Sequence, residues 1–220
     1  MDDFKFEKDF LKELTASGTK HKVLLLLSGG KDSICCLYLL SRIPSIELEA
    51  ICFTHKWSSE IPCKEAIRHC DINSVRLHVI DFSTELNTAL KGFSSGRPCL
   101  RCKPTMYRIA IAFAEKHKFK WIATGDNAND QTTFKRLEYF NGLSGESRKY
   151  CSHYLGNEQG VELPEEISVV RPLLYTPSNS IESFLNIRGI KLKESTVQAI
   201  SILNIIGKDA LYNSAIPATS

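Results

Sequence analysis

The chain has 220 residues, 43% hydrophobic and 24% charged, with a formal net charge of +3. That is enough apolar material for one full core, and no apolar run approaches the roughly 18 to 20 residues that would cross a bilayer. No signal-peptide pattern is found, so a cytoplasmic protein is expected, in which eight cysteines do not build a disulfide framework.

Residues 1–20 carry charges with Phe4, Phe6, Phe10, Leu11 and Leu14 at the spacing of an amphipathic helix lying on the domain. Residues 23–27 are a continuous apolar run, the pattern of a strand buried on both faces. A helix is expected over 32–41, with Ile34, Leu37, Tyr38 and Leu40 on one side. A strand at 48–53, a helix at 62–70, a strand at 75–80 and a short helix at 84–90 follow.

Residues 104–117 carry Met106, Ile109, Ala110, Phe113 and Ala114 at helical spacing. A strand at 121–124 and a helix at 130–140 come next. Residues 142–164, rich in Gly, Ser and charge, read as a loop or flap. A strand at 169–174 and a helix at 178–187 complete the pattern, and a tail over 191–220 begins helically. Alternating strands and helices of this kind predict an α/β fold: a doubly wound, five-stranded parallel sheet with helices on both faces and right-handed crossovers, occupying 21–190 as one domain.

The first strand runs directly into Ser28-Gly29-Gly30-Lys31-Asp32-Ser33 and then a helix. In a doubly wound sheet, ligands sit beyond the carboxyl ends of the strands. Two glycines let the backbone turn tightly and bring N–H groups close to an anion, and the helix adds the positive end of its dipole. Ser28 and Ser33 supply hydroxyls and Lys31 a point charge. The pattern is neither the Gly-x-x-x-x-Gly-Lys-Ser/Thr loop nor the dinucleotide fingerprint.

Ser-Gly-Gly-x-Asp-Ser after a first strand resembles the PP-loop ATP pyrophosphatase superfamily, whose fold is adenine nucleotide alpha hydrolase-like. The resemblance implies that ATP is cleaved between its α and β phosphates, that a carbonyl oxygen is adenylated, and that pyrophosphate leaves. It makes Ser28, Gly29, Gly30, Lys31, Asp32 and Ser33 the nucleotide-binding residues, with Lys31 and Asp32 also catalytic.

Cys99 and Cys102 stand in Arg97-Pro98-Cys99-Leu100-Arg101-Cys102-Lys103, just ahead of the helix expected at 104. Arg97, Arg101, Lys103 and a helix N-terminus make thiolates favourable there, the form that binds metal or attacks sulfur. The next strand enters Thr124-Gly125-Asp126-Asn127-Ala128-Asn129-Asp130. This is similar to a Thr-Gly-His-Asn-x-x-Asp-Asp signature in the tRNA-thiolating branch of the superfamily, with Asp126 where histidine is usual. Gly125 and Asp126 would border the nucleotide. Asp126 or Asp130 would hold Mg²⁺, although Asp130 equally suits a helix cap. Val169-Val170-Arg171-Pro172-Leu173 is similar to a further segment of those enzymes, so the resemblance covers about 22–190.

Cluster-dependent members of that branch use a third cysteine after the Arg-Pro-Leu segment, and this chain has none beyond Cys151. Cys151 is the first replacement as iron ligand and Cys63 the second. Cys99, Cys102 and Cys151 would then hold a [4Fe-4S] cluster with one open iron. A persulfide carried on Cys99 or Cys102 and a structural zinc site are the alternatives. Cys35, Cys36 and Cys52 lie in apolar segments and read as core.

The resemblance implies a tRNA substrate and a sulfur donor protein or inorganic sulfide, and it leaves a homodimer open. Lys56, Lys103, Arg136, Arg148 and Lys149 are candidate phosphate contacts. The expected reaction is adenylation of a tRNA base carbonyl and its replacement by sulfur. Adenylation of a small molecule for sulfur or nitrogen insertion is the alternative, and the intact phosphate loop argues against a non-catalytic subunit.

Overall fold

The computed structural model describes residues 20–92, 99–127 and 164–192. The apolar run near the start forms β1 (His21–Leu26), the middle strand of the sheet. Its side chains alternate between two dry layers, which is why no polar residue interrupts the run. Val23, Leu25 and Leu27 enter one core cluster, and Leu24 enters the other with Ile122 and Val169. Leu24 is 0% exposed, and its truncation to alanine would cost about 2–5 kcal/mol.

The chain continues through α1 (Lys31–Leu40), β2 (Ile46–Thr54), α2 (Glu60–Ile72), β3 (Arg76–Asp81) and α3 (Ser83–Leu90). After residue 98 come α4 (Cys99–His117), β4 (Trp121–Ala123), β5 (Ser168–Val170) and α5 (Ser178–Ile187). All four strand pairings are parallel, in the order β3-β2-β1-β4-β5. The doubly wound five-stranded sheet is therefore as expected.

Residues of α1, α2 and α5 fill the layer that holds Val23 and Leu25. The opposite layer is filled from α4 by Tyr107, Ile111 and Ala114. Cys35, Cys36 and Cys52 are buried in the first layer, and burial holds the Cys36 thiol well above its ordinary pKa. These three are packing residues.

Two boundaries depart from expectation. α4 begins at Cys99 and runs through Pro104; the sequence pattern suggested a start at the proline, where a missing N–H costs nothing. The helix instead forgoes one ladder bond there, and the Thr105 hydroxyl donates to the Arg101 carbonyl at 2.8 Å. Cys99 and Cys102 thus lie in the helix, not ahead of it. β5 stops at Val170, short of the expected 174. Pro172 has no N–H to extend the ladder, and the chain turns, with Leu174 N–H on Arg171 O at 3.1 Å and Thr176 N–H on Leu173 O at 2.8 Å. The helices expected at 1–20 and 130–140, the flap before Pro164 and the tail beyond Leu192 lie outside the described residues.

Beneath α2 a polar network joins three elements. Arg68 donates to Glu65 at 2.6 Å, to His69 Nε2 at 2.9 Å and to the Lys191 carbonyl at 2.6 Å. Arginine cannot accept, so Nε2 is the acceptor, and His69 Nδ1–H donates to the Tyr38 hydroxyl at 3.0 Å. The network fixes the segment after α5 against α1 and α2. No helix among the described residues is long and apolar enough to cross a membrane.

Candidate functional site

Strand order reverses direction between β1 and β4: the chain moves outward from β1 through β2 to β3, then returns to β4 on the other side. The connections leaving β1 and β4 therefore diverge, and a crevice opens beyond their carboxyl ends. A cleft of about 330 Å³ lies there, within the range of small-ligand sites.

Its polar end is built by the turn after β1. Gly29 adopts φ +77°, and a Cβ on it would stand 2.0 Å from the Pro62 carbonyl oxygen in the first turn of α2. Only glycine meets both conditions. Gly30 then takes extended geometry (φ −78°, ψ 162°) and starts α1 with no side chain to cap it, which leaves the first-turn N–H groups to a ligand. Two hydroxyls cinch the turn. Ser28 Oγ and Ser33 Oγ are 3.1 Å apart, and Ser33 Oγ donates to Gly30 O at 3.0 Å.

The segment after β4 closes the other side. A Cβ on Gly125 would lie 2.8 Å from the Ser33 nitrogen, so this backbone rests directly on the start of α1. The Thr124 hydroxyl donates to Asp126 Oδ2 at 2.9 Å and fixes that carboxylate. The Cys36 thiol donates to Thr124 O at 3.6 Å, tying the same segment to α1.

Six of the expected nucleotide residues, Ser28, Gly30, Asp32, Ser33, Gly125 and Asp126, line this one cleft. Gly29 sits behind the turn and shapes it. Lys31 is placed differently from the point charge expected on a phosphate. Its ammonium donates to Asp32 Oδ1 at 2.9 Å and to Ser178 Oγ, and lies 3.8 Å from Glu182 Oε1. In this structure it joins the turn to the first turns of α5.

The apolar wall was not anticipated. Ile51 and Phe53 of β2 and Met106 and Tyr107 of α4 form it with Leu26 and Leu27. The available signal was their position: residues 51 and 53 share one face at the carboxyl end of β2, and 103, 106 and 107 share one side of α4. Lys103, named from the sequence as a candidate phosphate contact, also lines the cleft.

Cys102 is partly buried in the first turns of α4, immediately before Lys103, and Cys99 is the first residue of that helix. Cys63 packs beside Cys52, whose thiol is pushed up to about 12 by burial and then by Cys63. Cys151 and Asp130 lie outside the described residues. Among the described residues, no group of three or more His, Cys, Asp or Glu is placed to hold a metal ion.

A family model described as PP-loop domain matches residues 4–199. The chain is 24% identical over 200 residues to tRNA(Ile)-lysidine synthase of Clostridioides difficile, covering 86% of this chain and 40% of that protein. It is 30% identical over 115 residues to tRNA-5-methyluridine(54) 2-sulfurtransferase of Pyrococcus horikoshii, covering 51% of this chain and 37% of that one. The chain thus spans about 40% of the length of these curated relatives. Its fold is similar to that of the U34-tRNA thiolase NcsA from Methanococcus maripaludis, solved with its [4Fe-4S] cluster, at a TM-score of 0.62 and 22% identity over 90% of this chain and 67% of that one.

Proposed function

The chain belongs to the PP-loop domain family, and on that premise we propose that it uses ATP to adenylate a carbonyl oxygen of a tRNA base and then replaces that oxygen with sulfur. The turn 28–33 and the start of α1 would cradle the β and γ phosphates, with the nucleoside along the apolar wall. Asp32 and Asp126 border the same cleft and suit the Mg²⁺ that accompanies ATP. The base oxygen attacks the α-phosphorus and pyrophosphate leaves. Sulfur then attacks the activated carbon and AMP leaves. Fixed N–H dipoles aimed at the departing phosphates supply electrostatic stabilisation.

The observation that carries sulfur is the place of the two cysteines along α4. Positions 99, 102, 103, 106 and 107 repeat at i, i+3, i+4, i+7 and i+8 of one helix, and the last three line the cleft. Cys99 and Cys102, with Cys151, are the thiolates that would hold an iron–sulfur cluster; the chemistry of such a donor set fits iron. When bound, the cluster would present sulfide from an open iron, and the cluster-bearing thiolase of similar fold supports this over a persulfide or zinc. The sulfur would come from a donor protein or inorganic sulfide.

Anaerobic incubation with ATP, Mg²⁺, sulfide and tRNA, followed by nucleoside mass spectrometry, tests the proposal. The expected product is a nucleoside with oxygen exchanged for sulfur. Unchanged nucleosides would refute it. The lysidine synthase likeness, which spans 86% of this chain, favours a second reading, a nitrogen nucleophile on the same adenylate. That reading predicts an amine adduct formed equally well by Cys99→Ala and Cys102→Ala variants.

A further inference from the structure

The loop between β2 and α2 carries His55-Lys56-Trp57-Ser58-Ser59 at the sheet's carboxyl edge. An exposed connection of this kind has few reasons to hold a tryptophan, and its backbone is unusually well tied down. Ser58 N–H donates to His55 O at 2.8 Å, and the Ser58 hydroxyl donates to the same carbonyl at 2.7 Å. His55 N–H donates to Ser58 Oγ at 3.1 Å, and Trp57 N–H donates to His55 Nδ1 at 3.2 Å. Lys56 N–H donates to Ser83 Oγ at 2.9 Å, and that hydroxyl is held by Asp81 Oδ1 at 2.5 Å. The loop is pre-organised before anything binds.

Its rings are continuous with the cleft. Phe53, which lines the cleft, meets Phe82 at 5.6 Å between centroids; Phe82 meets His55 at 5.5 Å, and His55 meets Trp57 at 5.9 Å. Because Nδ1 accepts from Trp57 N–H, the His55 proton sits on Nε2. Burial lowers the His55 pKa against the opposing pull of Asp81, so the ring beside Trp57 is neutral. The Lys56 ammonium rests over the Trp57 ring at 4.4 Å from its centroid.

A well-anchored, partly buried indole with a cation on its face suits an unpaired nucleotide. The base stacks on the ring, and the lysine moves to the flanking phosphate. We infer that Trp57 and Lys56 form a stacking subsite for an unpaired base of the RNA substrate, seated on the loop beside the ATP cleft. This deepens the tRNA reading given above and rests on it. Neither residue touches the reacting atoms; both position the RNA.

The test has two arms. In the first, tryptophan emission is followed while a short unstructured oligouridylate is added, with Trp57→Phe used to isolate the Trp57 signal from that of Trp121. In the second, tRNA-dependent pyrophosphate release is measured for Trp57→Ala, Trp57→Phe and Lys56→Ala. Saturable quenching of Trp57 is expected. The KM for tRNA should rise about tenfold or more in Trp57→Ala, with the KM for ATP unchanged and most of the loss recovered in Trp57→Phe. Lys56→Ala should lower the salt slope of binding by about one.

Absence of quenching, or an unchanged KM for tRNA in Trp57→Ala, overturns the subsite. If Trp57→Ala is misfolded, the quenching arm on the native chain decides. Quenching without tRNA-dependent pyrophosphate release leaves the RNA surface standing and sinks the assigned reaction. Release without quenching does the reverse.

Discussion

Replacing Gly29 by alanine separates two costs that the fold combines at one residue. At φ +77° an L-residue is strained by about 1–3 kcal/mol. Gly189 has a similar φ of +65°, with nothing within 4 Å of where a Cβ would stand, so Gly189→Ala measures that strain alone. Gly30, at φ −78° with only Ser28 Oγ near at 3.5 Å, measures neither cost. At Gly29 the new carbon would also stand 2.0 Å from the Pro62 oxygen, against about 3.4 Å for ordinary contact, so the turn and α2 must part by about 1.4 Å. In catalysis, a misplacement of about 1 Å costs up to ~100-fold in rate.

Thermal unfolding and calorimetric titration with a non-hydrolysable ATP analogue, run on all three variants, read the two effects. Gly30→Ala should unfold like the wild type. Gly189→Ala should lose stability and keep its affinity. Gly29→Ala should lose more stability than Gly189→Ala and at least tenfold in affinity. Equal stability for Gly29→Ala and Gly189→Ala, together with wild-type affinity, would show that the Pro62 contact shapes nothing.

Gly125→Ala presses a methyl group on the Ser33 nitrogen at 2.8 Å; calorimetry should show weakened nucleotide binding, and wild-type affinity would mean the two loops are independent. Cys102→Ala should bind the ATP analogue normally and yield no thionucleoside, a split that equilibrium titration and mass spectrometry read separately. Stability should fall as pH drops below about 6.5. Burial and then Arg68 lower the His69 pKa from 6.5, against Glu65, and burial lowers that of His55. The unfolded chain then binds more protons in the window between the lowered folded values and 6.5, so stability there rises with pH. Urea midpoints between about pH 7.5 and about pH 5.5 should show this slope, reduced in His69→Gln; an unchanged slope in that variant would exclude His69 as a source.

The strands and the glycine turn after β1 were legible because each is a local signal. A continuous run such as 23–27 suits a strand buried on both faces, and two glycines after it suit a tight turn into a helix. Pro104 and Pro172 misled in opposite directions. The first was absorbed inside a helix whose neighbouring threonine bonds back to the chain, while the second ended a strand that its apolar neighbours seemed to extend. The wall formed by Ile51, Phe53, Met106 and Tyr107 was invisible because those residues read as ordinary core until the topology brings β2 and α4 to the same crevice. Lys31 and Ser178 are 147 positions apart, and no spacing rule connects them. His69, which is buried, likewise needs Tyr38 from another helix to explain it.

If the crevice at the carboxyl ends of β1 and β4 directs cleavage of ATP between its α and β phosphates, the nucleotide products formed with tRNA will say so. Chromatography should find AMP and pyrophosphate in equal amounts, both lost in Gly29→Ala. ADP and phosphate, or AMP formation indifferent to that substitution, would mean that the crevice does not perform this chemistry.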